Sequence, residues 1–143
     1  MTLSFRQAAI AGSGLCFALA AAWMGAPQFI LRLWQINGSD STLLLARRGA
    51  ALFLGLAVML WLSRNAKNSP TRHAIAVGFS VSCAALAALG IYDFVAGHAG
   101  IGILAAVTIE SMLALSFALV RHADRTTSIR KRVSNIAHSF FPE

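Results

Sequence analysis

Residues 43–62, LLLARRGAALFLGLAVMLWL, decide how this chain is read. The run is apolar except for Arg47 and Arg48. A helix of this length, at roughly 1.5 Å rise per residue, crosses a ~30 Å hydrocarbon core. The apolar residues do not alternate with polar ones. In lipid only helices and closed barrels satisfy the backbone, so the stretch is predicted to be a transmembrane helix.

Three further runs have the same character: about 8–31, with Pro27 late in it, then about 73–95 and about 101–120. With the run at 42–62 they predict an all-α, four-helix transmembrane bundle over residues 1–120. The connections are short, so consecutive helices are expected to be antiparallel neighbours in an up-down-up-down order. Ser80, Ala84 and Ala88, spaced by four, form a small-residue stripe that would let another helix approach closely. The first run follows Arg6 as a signal peptide would, but it continues through Trp23, Met24 and Phe29 to Leu31. That is long for a cleaved segment, and the helix is expected to be retained.

Composition agrees. The chain of 143 residues is 57% hydrophobic and 12% charged, against roughly 25% charged in ordinary soluble domains. Its mean hydropathy is +0.68. The net charge of +7 does not indicate nucleic acid, because the cations lie in short segments between or after apolar runs. Cys16 and Cys83 both fall in apolar runs and read as small buried residues, with no zinc spacing and no disulfide framework.

Lys and Arg concentrate on the cytoplasmic side of membrane helices. Arg6, then Arg64, Lys67 and Arg72, then Arg121, Arg125, Arg130, Lys131 and Arg132 share one side; only Arg32, Arg47 and Arg48 fall to the other. This asymmetry predicts a multi-pass protein of the bacterial inner membrane with both termini cytoplasmic. Trp34 and Tyr92 then lie near the outer boundary and Trp61 near the inner one, as interfacial aromatics do.

Within or at the edge of the spans stand four charged residues: Arg47, Arg48, Asp93 and Glu110. Helical rise places the arginines roughly 7–9 Å, Asp93 roughly 3 Å and Glu110 roughly 13 Å below the outer boundary. All four share the outer half and their charges cancel, so one arginine is expected to face Glu110 or Asp93. Arginine also snorkels from such depths, and helix two could begin as late as Gly49. Adjacent residues point about 100° apart, so the second arginine would reach headgroups. Glu110 is too short to snorkel, and intramembrane carboxylates are rare and usually functional. It reads either as a ligand or proton site or as an interhelical hydrogen-bonding group. Tyr92, Asp93 and His98 gather at the outer ends of helices three and four, where they could bind a polar head or simply cap the helices. His73 and His122 lie too near the inner ends for a haem between spans. No metal and no cofactor is expected, since phosphate loop, HExxH, paired-cysteine and nucleophile-elbow motifs are all missing.

The segment 121–143 is polar and basic. Ile129, Val133, Ile136 and Phe140 are spaced as one face of a helix, with Arg130, Lys131 and Arg132 on the remaining surface. This predicts an amphipathic cytoplasmic helix lying on the membrane; a disordered basic tail or docking onto a partner are the alternatives.

The layout, with ARRGAALFLGLAVML in helix two and a lone acid within VTIESMLAL in helix four, resembles the DoxX-like proteins and related four-helix bacterial membrane proteins. The resemblance covers roughly residues 8–120. It implies an inner-membrane protein associated with redox or partner complexes, and it supplies no catalytic residue. The expected function is a binding or accessory subunit that holds a lipid-like ligand or a partner's helix in a polar pocket built from Arg47, Arg48, Tyr92, Asp93, His98 and Glu110. Two alternatives stay open: a small transporter or channel subunit with Glu110 as relay, and a membrane enzyme using Glu110 and Asp93 as acid and base. Membrane lipids are the expected partners, with a larger membrane complex or a homo-oligomer open beside them.

Overall fold

The computed structural model describes the backbone of residues 4–140 and the side chains of residues 4–122. The described residues form five helices: α1 Phe5–Gly25, α2 Pro27–Leu33, α3 Asp40–Ser63, α4 Pro70–Val95 and α5 Ile103–Phe140. Four of them, α1, α3, α4 and the Ile103–His122 part of α5, are long and apolar enough to cross a membrane.

Local chemistry explains the boundaries. Ser4 caps α1 by accepting from the Gln7 amide, while the Gln7 side chain accepts from the Ser4 amide. Such reciprocal capping satisfies two amides that a helix start leaves without partners. Pro27 splits the first apolar run, expected to be one helix, into α1 and α2. The residue before proline is pushed out of the helical region, and Ala26 sits at φ −137°, ψ 52°. Pro27 then opens α2 at a position that needs no amide donor. Ser39 caps α3 through the Thr42 amide, which places Arg47 and Arg48 well inside the helix rather than before it. Between Ile103 and Phe140 no glycine or proline interrupts the chain, and α5 runs on without a break. The segment expected as a separate surface helix is therefore the continuation of α5. Its side chains, including Arg130, Lys131 and Arg132, lie outside the described residues.

The helices associate as two pairs. α1 packs along α3 and α4 along α5, and the pairs meet where α1 touches α5. α3 and α4, although consecutive, make no extended contact, contrary to the expectation that sequential helices would be neighbours. Each pair holds one serine bonded across it. Ser13 donates to the Ala57 carbonyl at 2.8 Å, and Ser80 to the Ala114 carbonyl at 2.8 Å. The closest packing of α4 on α5 runs along Ala76, Phe79, Cys83, Ala87 and Gly90, not along Ala84 and Ala88, which are exposed. Gly90 is there because nothing larger fits: a Cβ would lie 2.6 Å from Val107 Cγ2.

Between the pairs, Phe117 is fully buried, edge-on to Phe5 at 6.2 Å between ring centroids and tilted against Phe79 at 4.8 Å. Ala8, Ala9, Ala57, Leu60, Ala76 and Val120 complete this core, which occupies the end of the bundle that carries Phe5. At the opposite end α2 is docked onto the α4–α5 loop. The Gly100 amide donates to the Trp34 carbonyl at 2.6 Å, and Gly102 lies directly against the Leu33 carbonyl, where a side chain would collide. Trp34 packs edge-on to Trp23 at 5.1 Å. Large apolar side chains such as Leu44, Leu52, Leu62, Val81, Leu89 and Leu119 remain exposed around the bundle.

Gly90→Ala is expected to lower stability in detergent by ~1–3 kcal/mol through overpacking. Val107→Ala should recover part of that loss, since it removes the colliding methyl. Ser13→Ala and Ser80→Ala should each cost only about 0.6 kcal/mol and add independently, because they serve different helix pairs. Chemical unfolding of the single and double variants checks all of these.

Candidate functional site

Because α3 and α4 stand apart, a cleft of about 360 Å³ opens between them, with α1 and α5 behind it. Every helix contributes at its own period. Ala46, Gly49, Phe53 and Leu56 form the α3 wall and Phe79, Cys83 and Leu86 the α4 wall. Leu15, Cys16, Leu19 and Trp23 come from α1; Ala106, Ile109, Glu110 and Leu113 come from α5. Leu31 and Trp34 close the end nearest α2. The buried core around Phe117 closes the other end.

Among the described residues, Glu110 is the one charged side chain lining the cleft. It is half-buried, and no described group hydrogen-bonds or ion-pairs with it. The few other polar groups around the cleft are mostly engaged locally. The Ser82 hydroxyl donates to the Gly78 carbonyl at 2.9 Å, and the Thr42 hydroxyl is 2.8 Å from that of Ser39. Cys16 and Cys83 are buried free thiols.

The residues expected to form one polar cluster do not come together. Arg47 and Arg48 are both exposed, and neither lines the cleft nor pairs with Glu110 or Asp93. The helical period is the reason. Ala46 and Gly49 lie on the cleft-facing stripe, so the two residues between them turn outward. Tyr92, Asp93 and His98 do meet, but away from the cleft. His98 Nδ1 lies 3.4 Å from Asp93 Oδ1, and the His98 and Tyr92 rings are edge-on at 6.2 Å. The His98 and Ala99 amides donate to the Asp93 carbonyl at 2.9 and 3.2 Å, so the group closes the last turn of α4. All three side chains are substantially exposed. The described residues hold no group of three metal-ligating side chains.

Sequence reasoning had no way to find the aromatic lining of the cleft. Trp23, Phe53 and Phe79 lie in apolar runs where any face can be lipid, core or cavity. The chain matches no family model, no curated protein and no solved structure.

An acidic group without partners in apolar surroundings opposes folding, while exposed arginines contribute little. Glu110→Met is therefore expected to raise stability in detergent by ~1–3 kcal/mol. Arg47→Ala and Arg48→Ala should each lie within ~0.5 kcal/mol of wild type. Neither should alter the effect of Glu110→Met in a double-mutant cycle; a coupling well above that size would place an arginine beside the carboxyl.

Proposed function

We propose that this chain is a small multi-pass protein of the bacterial inner membrane that binds a lipid-like ligand in the cleft between α3 and α4, serving as a binding or accessory subunit. One observation carries the reading: a cleft with apolar and aromatic walls and a single carboxyl among them. Such a shape, largely apolar with few polar groups, is what small-molecule sites share. A group whose surroundings disfavour it is more readily understood as serving a ligand than as serving the fold. The walls include exposed Leu45, Leu86 and Ile109, so the opening faces the side of the bundle that lipid would cover. The acid–base enzyme reading is left without its pair, because Asp93 does not line the cleft.

In this reading the four spans alternate up and down, both termini are cytoplasmic, and the cleft lies in the outer half of the bilayer. The asymmetry of Lys and Arg supports that orientation. The basic stretch Arg130, Lys131 and Arg132 would then follow the last span on the cytoplasmic side, in keeping with the same asymmetry. The resemblance of the layout to the DoxX-like proteins agrees with an accessory role.

Native mass spectrometry of the protein released from nanodiscs should show one bound small molecule, and Gly49→Trp should remove it. A Cβ at Gly49 meets nothing within 4 Å, so the added ring has room to fill the cleft. Loss of nothing on substitution would end the ligand reading.

Topology is tested by reporter fusions. Fusions after Asn37 and Gly97 should report the periplasm, and fusions after Lys67 and Glu143 the cytoplasm. A cytoplasmic report at Gly97 would overturn the alternation of the spans.

A further inference from the structure

Resting on the ligand reading of the cleft, we infer that its ligand is a hydrophobic monocation: an apolar body carrying one positive group, an ammonium or a more delocalised cation, that sits against Glu110.

The balance of charge in the cleft is the first argument. Among the described residues its lining carries one acid and no base, since Arg47 and Arg48 turn outward from either side of the cleft stripe. The carboxyl has no hydrogen-bonding partner of its own. A cation supplies the missing partner, whereas an anionic lipid would bring a second negative charge into an apolar space.

The aromatic lining is the second. Trp23, Trp34, Phe53 and Phe79 all border the cleft. Ring faces attract cations, tryptophan most strongly, and they do so best where water is excluded. Aliphatic walls would serve a neutral ligand as well; four aromatic rings with a lone carboxyl favour a positive one.

Access is the third. The mouth lies between α3 and α4, bordered by exposed Leu45, Leu86 and Ile109. At the α2 end, Leu31 and Trp34 stand over the cleft, and α2 is tied to the α4–α5 loop by the Gly100 amide on the Trp34 carbonyl. The ligand therefore enters sideways from the hydrocarbon phase, which requires that its body be apolar and its charge single.

Binding to the full-length protein in phosphatidylcholine nanodiscs tests this. Three probes are used: tetraphenylphosphonium, the anion of the same shape tetraphenylborate, and the neutral dye Nile red. Wild type should bind the phosphonium saturably above empty nanodiscs and show no saturable binding of the borate. Glu110→Gln should weaken phosphonium binding by about tenfold or more, the loss of one charged partner. Glu110→Asp should retain most of it. Gly49→Trp should abolish it, with circular dichroism and size-exclusion profiles confirming that each variant is folded. If Nile red binding is lost in Gly49→Trp while wild type binds both ions alike, or neither, the cleft is a ligand site but not a cation site. If Gly49→Trp changes the binding of no probe, the cleft reading falls as well. The charge preference is measured on wild type, so it stands even if a Glu110 variant fails to fold.

Discussion

The ring of Phe117 joins two helix pairs that otherwise have little to do with each other. Within each pair the helices approach closely, because small residues line the contact and a serine hydroxyl crosses it to a backbone carbonyl. In lipid, apolar side chains gain nothing by leaving a hydrocarbon solvent, so close packing and such hydrogen bonds must hold helices together. Between the pairs, Phe117 of α5 meets Phe5 and the open face of Gly12 on α1, and the Arg72 guanidinium of α4 lies over the Phe5 ring at 4.5 Å. The joint lies near one end of the bundle. Beyond it α3 and α4 make no extended contact, and the space between them is the cleft.

The opposite end is held by backbone rather than by side chains. Gly100 and Gly102 let the α4–α5 loop come against the Trp34 and Leu33 carbonyls, and α2 is fixed across the bundle as a result. The break at Ala26 and Pro27 is what frees those residues to turn back. The cleft is thus bounded by an aromatic core at one end and a short crossing helix at the other. Glu110 lies between them, on the one wall that α5 supplies.

Charge in this molecule divides by face. Neither Arg47 nor Arg48 has a buried partner, including the one expected to face Glu110 or Asp93, since both side chains leave the bundle directly. Glu110 has no such exit. The balance of two cations and two acids within the spans is a sum over the sequence; it implies nothing about contact, because contact depends on which side of each helix a residue occupies.

The sequence by itself determined the helical class and the four long apolar runs. These follow from run length and from proline, which act within a few residues. It also singled out Glu110, since an acid at that depth is unusual whatever surrounds it. What it could not determine is which helices would be neighbours. A membrane helix is apolar all round, so hydrophobic periodicity no longer marks an inward face. The spacing of Ser80, Ala84 and Ala88 therefore does not mark the most buried face: Ser80 bonds across to α5, while Ala84 and Ala88 are exposed. For the same reason the sequence did not show that both Arg47 and Arg48 turn outward, or that Tyr92, Asp93 and His98 close the last turn of α4 rather than line the cleft. Only the tertiary structure decided that α3 and α4 stand apart and that aromatic rings line the gap, because those outcomes depend on how the pairs pack and not on any one segment.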